Sequence, residues 1–343
     1  MKKNKVLLLL DHCLGGGVEK FIQTLHSADI SKNSVKVISL FKPITPLKLN
    51  SDCSFEYVFN ETSEFAIKMA RAFLSDEILK YDLIIVSHPK MTKVMSHFEN
   101  SSIVYVCHGF SKEFYSNIFN KIRYYYFLRR VYKNKKLVCV SHGLEQVIKK
   151  IVPTCTSCTI HNPIDHQGIL ALAEEYTYKH NDYYVYVGRL SKEKNVNKII
   201  SDFYVSKAYL NHKLVIVGDG CERDEIKKLI NKLNLDGKVI MEGYLVNPYP
   251  VIKKARALVL SSDREGFGYV IAEALLLKTP VISVDCDFGP RDLIVGGNKM
   301  FLKKMDECLF KDVNPNSFSF DEFSVSMLEP AIVIERYASF KNI

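Results

Sequence analysis

The chain has 343 residues, more than one typical domain of about 100 to 200 residues, which argues for two domains or one large one. Its 47% hydrophobic and 25% charged residues, with 16 glycines and 11 prolines, exclude a mainly disordered chain, and its length excludes a small stapled scaffold. The formal charge is +9, and the whole surplus lies in the first half, with 23 basic and 14 acidic residues up to Asp165 and 24 of each after it.

In chain order, Met1-Lys2-Lys3 followed by Val6–Leu10 has the look of a signal peptide. Its five apolar residues fall short of the roughly 7 to 15 such a segment needs, so the run is expected to be a buried first strand. Further strands are expected at Val35–Leu40, Leu83–Ser87, Ile103–Cys107 and Leu137–Val140, then at Tyr183–Val187, Leu214–Val217, Val239–Met241, Ala257–Leu260 and Val281–Val284. Helical patterns alternate with them, the signature of parallel strands joined by crossover helices. The architecture expected is α/β, two Rossmann-like doubly wound domains facing a central cleft. The boundaries expected are residues 1–165 and 166–325, with a terminal helix in 326–343 that ends near Tyr337 and for which a crossing back to the first domain is the course considered. No run reaches the roughly 18 to 20 apolar residues of a membrane-spanning helix. Nine irregularly spaced cysteines suit a reducing compartment, so a cytoplasmic protein is expected, and the isolated pair Cys155 and Cys158 is not read as a metal or redox motif.

Four loops at expected strand ends carry chemistry. The first strand runs into Gly15-Gly16-Gly17-Val18-Glu19 at a helix start, where exposed amides can hold an anion or a sugar hydroxyl. A tight turn without a ligand is the alternative there, and the dinucleotide spacing G-x-G-x-x-G is not met. His108-Gly109 follows a strand, and a plain strand-end histidine is the competing reading. Gly188-Arg189-x4-Lys194-Asn195 offers a planar guanidinium fork and a mobile ammonium to a diphosphate, or else is a solvated basic loop. In Ser262-Asp263-Arg264-Glu265-Gly266-Phe267-Gly268, followed by Glu273, two carboxylates are spaced to grip separate parts of one polyhydroxyl ligand.

Taken in order over residues 5 to 295, these segments resemble the retaining GT-B glycosyltransferases of family 4, also called glycosyl transferases group 1. Thr279-Pro280-Val281-Ile282-Ser283, Gly289-Pro290-Arg291-Asp292 and Asn162-Pro163-x-Asp165 belong to the same resemblance. It implies an acceptor-binding N-terminal domain and a C-terminal domain that binds a nucleotide-sugar, a UDP-sugar by default. On that resemblance Arg189 and Lys194 bind the diphosphate and stabilise the leaving group. Glu273 holds the ribose, and Glu265 faces the donor sugar with the amides of Gly266, Phe267 and Gly268. His108 sits over the transferred sugar, Tyr244 flanks the base, and Gly16, Gly17 and Gly188 line the donor site. A leaving-group oxygen takes the acceptor's proton, so neither a catalytic carboxylate pair, a metal nor a cofactor is expected. Asp285-Cys286-Asp287 is accordingly not assigned to a metal. The tail after Gly296-Gly297-Asn298 is shorter than the family's.

Residues 121 to 136 hold seven basic residues, five aromatics and no acid. They form either an aromatic stripe on the core with a solvated basic face, or a helix whose rings meet lipid headgroups while its cations meet anionic lipid. The resemblance favours the second, with a lipid-linked or lipopolysaccharide acceptor and an enzyme peripheral on the inner face of the cytoplasmic membrane. No nucleic-acid recognition motif accompanies the charge. A nucleotide-sugar epimerase, a sugar phosphorylase and a silent nucleotide-sugar or lipid binder stay open beside the transferase. The sugar, the linkage and the oligomeric state are not legible in the spacing.

Overall fold

A computed structural model describes residues 4–11, 16–27, 33–41, 55–59 and 64–343 of the chain. It divides into two compact units, residues 1–164 with 327–343, and residues 165–326.

The first unit is built on a seven-stranded, wholly parallel sheet of β1 (Asn4–Leu10), β2 (Asn33–Phe41), β3 (Phe55–Phe59), β4 (Leu83–Val86), β5 (Ile103–Cys107), β6 (Lys136–Cys139) and β7 (Thr156–Thr159). The spatial order is β3-β2-β1-β4-β5-β6-β7. The helices are α1 (Gly17–Ser27), α2 (Glu64–Glu77), α3 (Pro89–Met95), α4 (Ile118–Tyr132) and α5 (His142–Ile151). Val6 pairs with Val35 on one side and with Leu83 on the other, so β1 is central and its leucines are buried. A parallel strand covered on both faces must be apolar throughout, and each fully buried leucine contributes about 1.5–3 kcal/mol. Because β2 and β3 lie on one side of β1 and β4 to β7 on the other, the order reverses between β1 and β4. Ligands of such sheets bind beyond the carboxyl ends of the strands at that reversal.

The second unit holds α6 (His166–Leu172), β8 (Tyr183–Val187), α7 (Val196–Val205), β9 (Lys213–Val217), α8 (Arg223–Lys232), β10 (Val239–Gly243), α9 (Tyr249–Lys253), β11 (Ala257–Leu260), β12 (Arg264–Glu265), α10 (Tyr269–Leu276), β13 (Val281–Val284), β14 (Asp287–Phe288), α11 (Gly289–Leu293) and β15 (Leu302–Lys303). Its parallel sheet has the order β10-β9-β8-β11-β13-β15, with the reversal between β8 and β11, and β12 pairs with β14 apart from it.

The last helix, α12 (Pro330–Lys341), belongs to the first unit, where Val333, Ile334, Tyr337 and Phe340 are buried. It packs on α1, β4 and β5, and Ile164 N donates to Leu328 O at 2.9 Å. It runs four residues past Tyr337, correcting the expected end.

All ten expected strands are present, and the sheets are wider than expected by β3, β7 and β15. The first two are edge strands, and Thr156-Ser157-Cys158-Thr159 lacks an apolar run because it pairs on one side only and stays partly exposed. Among the described residues no helix is long and apolar enough to cross a membrane.

The segment 121–136 is not one helix. Asn117 caps α4 by accepting from Asn120 N at 3.0 Å, and the chain leaves the helix after Tyr132, with Asn134 at φ +54°. Three of the seven cations donate to backbone carbonyls: Arg129 Nε to Ile151 O at 2.7 Å, Lys135 Nζ to Phe98 O at 3.1 Å and Lys136 Nζ to Lys341 O.

Candidate active site

In the second unit the site is built where the sheet order reverses. β8 ends at Val187, and Gly188 N donates to Val217 O at 3.0 Å. The next turn passes so close that a Cβ on Gly218 would lie 1.8 Å from Gly188 O, and Gly218 has φ +140°. Only glycine allows this approach. Arg189 is exposed, and among the described residues its guanidinium makes no hydrogen bond or ion pair. Residues Lys192–Lys194 form one tight turn, and Asn195, left-handed at φ +49°, starts α7.

From the other side of the reversal, the loop after β11 ties itself to this one. Ser261 Oγ donates to Lys194 O at 2.9 Å and to Asn195 O at 2.7 Å, and Asp263 N donates to Glu193 O at 2.9 Å. Lys194 Nζ donates to Glu265 Oε1 at 2.6 Å, and Ser262 Oγ reaches the same oxygen at 2.7 Å. The two charged side chains are 21% and 14% exposed. Phe267 is buried edge-on to Tyr269, and a Cβ on Gly289 would lie 2.3 Å from Phe267 O, so the backbone of the β11 loop is held from below. Gly268, at φ +88°, starts α10, which carries Glu273 into a buried position.

The local field is anionic towards Glu265. Burial, then the Glu265 charge, pushes the Cys286 thiol up to about 12, so it stays protonated. Burial raises Glu193, but its own backbone, Ser191 and then Arg189 outweigh it and hold the carboxyl below its usual range. Asp285 is engaged by Arg291 through contacts of 2.6 and 3.2 Å.

The structure therefore brings Lys194 and Glu265 into contact, and Arg189 lies exposed on the Lys194 loop, five residues before it. Gly266, Phe267 and Gly268 link Glu265 to α10. Tyr244 is exposed after β10, on the far side of β9, and no hydrogen bond among the described residues joins it to Lys194 or Glu265; Gly218 N donates to Gly243 O at 2.7 Å. An open cavity of about 240 Å³, with Ser191, Lys192, Asn197 and Glu222 in its lining, lies between the starts of α7 and α8 and includes none of the expected donor residues.

His108, Gly16 and Gly17 lie in the first unit. Gly17 opens α1, with Lys20 N donating to Gly16 O at 3.1 Å; Gly15 lies outside the described residues. His108 follows β5 with its ring edge-on to Phe21 at 4.9 Å. Its Nε2 is 3.3 Å from Ser87 Oγ, and its buried Nδ1 has no hydrogen-bond partner among the described residues. Burial, then the His88 charge, lowers its pKa to about 3, so the ring is neutral.

Residues missed in the sequence are Ser261, Ser262 and Gly218 in the second unit and Asp11, Ser87 and His88 in the first. Gly218-Asp219-Gly220 directly after a strand was a usable signal. Ser262 stood in the quoted loop three residues before its partner Glu265 but was given no role, and the others carried no signal because their partners are remote in the chain.

Residues 173–309 match the family model of glycosyl transferases group 1. An uncharacterised glycosyltransferase of Methanocaldococcus jannaschii is 30% identical over 247 residues, covering 66% of this chain and 60% of that protein. The N-acetylgalactosamine-N,N'-diacetylbacillosaminyl-diphospho-undecaprenol 4-alpha-N-acetylgalactosaminyltransferase of Campylobacter jejuni is 29% identical over 279 residues, covering 78% of this chain and 70% of that one. The structure of Anabaena HepE in complex with UDP and glucose superimposes with a TM-score of 0.71 at 18% identity, covering 98% of this chain and all of that one. The resemblance to glycosyl transferases group 1 is thus carried by residues 173–309, and the chain as a whole has the GT-B fold of its solved neighbours.

Proposed function

We propose that the protein is a retaining, metal-independent glycosyltransferase that moves a hexose or N-acetylhexosamine from a nucleotide-sugar, a UDP-sugar first, to a growing cell-envelope glycan. The observation that carries this is the loop pair at the β8/β11 reversal: an exposed Arg189, whose guanidinium makes no hydrogen bond or ion pair among the described residues, on the same loop as a lysine held by Glu265. An ammonium has three donors, and Glu265 takes one, so Lys194 can hold the sugar-side carboxylate and a diphosphate oxygen together. Arg189 supplies the paired donors that fit a phosphate. As the glycosidic bond breaks, charge grows on the leaving diphosphate, and both cations stabilise it where it develops. Glu273 holds the ribose and Tyr244 flanks the base. The acceptor hydroxyl attacks the face the diphosphate leaves, and a leaving-group oxygen takes its proton.

Support for the donor class comes from HepE, whose structure holds UDP and glucose. Support for a lipid-linked acceptor comes from the Campylobacter relative, whose name places its acceptor on undecaprenyl diphosphate. Helix α4 supports action at an anionic membrane surface on the cytoplasmic side. Ile118, Phe119, Ile122 and Tyr126 are 46 to 79% exposed, at positions that share a helix face, with exposed Arg123, Arg130 and Lys133 on the same helix or just beyond it.

The test is a thermal-shift panel of UDP-, GDP- and ADP-sugars on the wild type and on Arg189→Ala, followed by transfer to polyprenyl-linked acceptors with the anomeric configuration of the product read by NMR. A melting rise with one nucleotide class, lost in the variant, with transfer and retention, is the expected result. Binding without transfer to any acceptor, or an inverted product, would overturn it. Flotation with phosphatidylglycerol vesicles but not with phosphatidylcholine vesicles tests the membrane face.

A further inference from the structure

The cavity between the starts of α7 and α8 lies wholly within the second unit and takes in none of the residues assigned to the donor. Helix α7 packs on α8, whereas α10, which carries Glu273, packs on α9 and α6. The cavity therefore belongs to a different helix pair from the ribose residue. At about 240 Å³ it is smaller than the roughly 300–1,000 Å³ of pockets that enclose a drug-sized molecule, so it suits a single ring.

Its surroundings are tied by backbone. Leu190 N donates to Asp219 O at 2.9 Å and Glu222 N donates to Leu190 O at 3.0 Å. A Cβ on Gly220 would lie 2.3 Å from that same Leu190 oxygen, so the loop after β8 and the start of α8 are stitched together at van der Waals contact. Polar groups of the lining are nonetheless left over. Asn197 Oδ1 is buried without a hydrogen-bond partner among the described residues. The Lys192 ammonium and the Glu222 carboxylate, both in the lining, make no hydrogen bond or ion pair among the described residues. An amide oxygen shut off from water without a donor is costly, and a ligand that supplies the donor recovers the loss.

The lining selects the chemistry of that ligand. A phosphate would meet the Glu222 carboxylate, and a simple cation would meet the Lys192 ammonium. A hydroxyl both donates and accepts, so a ring of hydroxyls can donate to Glu222 and Asn197 Oδ1 while accepting from Lys192. Val196 and Ile226, buried in the same lining, offer an apolar surface to the ring's C–H face.

We infer that this cavity binds one neutral sugar ring, free or as a residue of a glycan, separately from the donor. The inference goes beyond the transferase reading, because binding here needs neither a nucleotide nor transfer. Occupancy has a short route to the donor loop. Lys192 and Asn195 bracket Lys194 in the chain, and Lys194 O and Asn195 O both accept from Ser261 Oγ. A sugar resting on this turn changes the affinity for the nucleotide, and the nucleotide changes the affinity for the sugar by the same factor.

The experiment is calorimetric titration, without nucleotide, of glucose, galactose, N-acetylglucosamine and their methyl glycosides into the wild type, Glu222→Ala, Asn197→Ala and Arg189→Ala. Each protein is also titrated with UDP, and melting temperature reports whether each variant is folded. The expected result is saturable binding of at least one sugar by the wild type, weakened about 10-fold or more in Glu222→Ala and Asn197→Ala. Their UDP affinity stays within about twofold of the wild type, and Arg189→Ala keeps the sugar while losing UDP. Saturating sugar shifts the UDP Kd of the wild type about fivefold or more, a shift absent in Glu222→Ala. Equal binding of free sugar and methyl glycoside assigns the cavity to a residue of a glycan, and binding of the free sugar alone assigns it to a metabolite; both uphold the inference. Wild-type sugar affinity in the folded Glu222→Ala and Asn197→Ala variants overturns it, as does sugar binding lost in Arg189→Ala, or a wild type that binds UDP and none of the sugars. A wild type that binds sugar in this cavity but no nucleotide-sugar overturns the proposed function alone.

Discussion

Lys194 Nζ and Glu265 Oε1 are 2.6 Å apart although 71 residues separate them, and each comes from a loop on a different side of the second unit's strand reversal. The pair is mostly out of solvent, so the two loops are coupled in energy as well as in position. Ser262, Ser261 and Asp263 extend the coupling from side chain to backbone. Moving one loop therefore moves the residues assigned to diphosphate and sugar together.

That coupling predicts a non-additive mutant cycle. Lys194→Ala leaves Glu265 part-buried with Ser262 as its remaining partner and is expected to lower stability by about 1–3 kcal/mol. Glu265→Gln is expected to cost less, and the double variant less than the sum. Urea unfolding of the four proteins gives the interaction energy; additivity within about 0.5 kcal/mol would show that the pair is not coupled.

Gly218 is expected to be as sensitive as any charged residue of the site. Its Cβ would meet Gly188 O at 1.8 Å, and its φ of +140° is unfavourable for alanine. Gly218→Ala is expected to destabilise the protein by about 2–4 kcal/mol and to weaken donor binding by displacing the Arg189 loop. Calorimetry on the variant with and without UDP measures both.

His108 gives the protein an acid-sensitive stability. Its pKa is lowered to about 3, first by burial and then by the His88 charge, against an unfolded value near 6.5. Between those values the unfolded chain binds more protons than the folded one, so stability falls as pH drops from about 6.5 towards about 3, and is unaffected by this group above that window. The slope approaches about 1.4 kcal/mol per pH unit within it. Denaturation midpoints from pH 7 to 4 should flatten in His108→Asn; an unchanged slope would remove His108 as the cause.

Tyr337 lies on α12 wholly buried against the first unit, and its hydroxyl has no hydrogen-bond partner among the described residues. Removing an unsatisfied buried hydroxyl while keeping the ring is expected to leave stability unchanged or raise it by about 1 kcal/mol in Tyr337→Phe. Tyr337→Ala, which opens a cavity, is expected to cost about 3–5 kcal/mol. Guanidinium unfolding of both variants decides whether the ring or the hydroxyl holds the helix.

The sequence by itself determined the two α/β units, the ten central strands and the loops that carry Arg189, Lys194 and Glu265. A central parallel strand is buried on both faces, so its apolar run is visible without knowing its neighbours. The edge strands β3 and β7 pair on one side and show no comparable run. Tertiary structure alone decided that Lys194 faces Glu265, that Asp11 faces His88 across 77 residues, and that α12 closes the first unit. Those contacts depend on strand order. Each sheet reverses its order once, between β1 and β4 and between β8 and β11, and this places the ends of remote strands side by side where spacing along the chain carries no record of it.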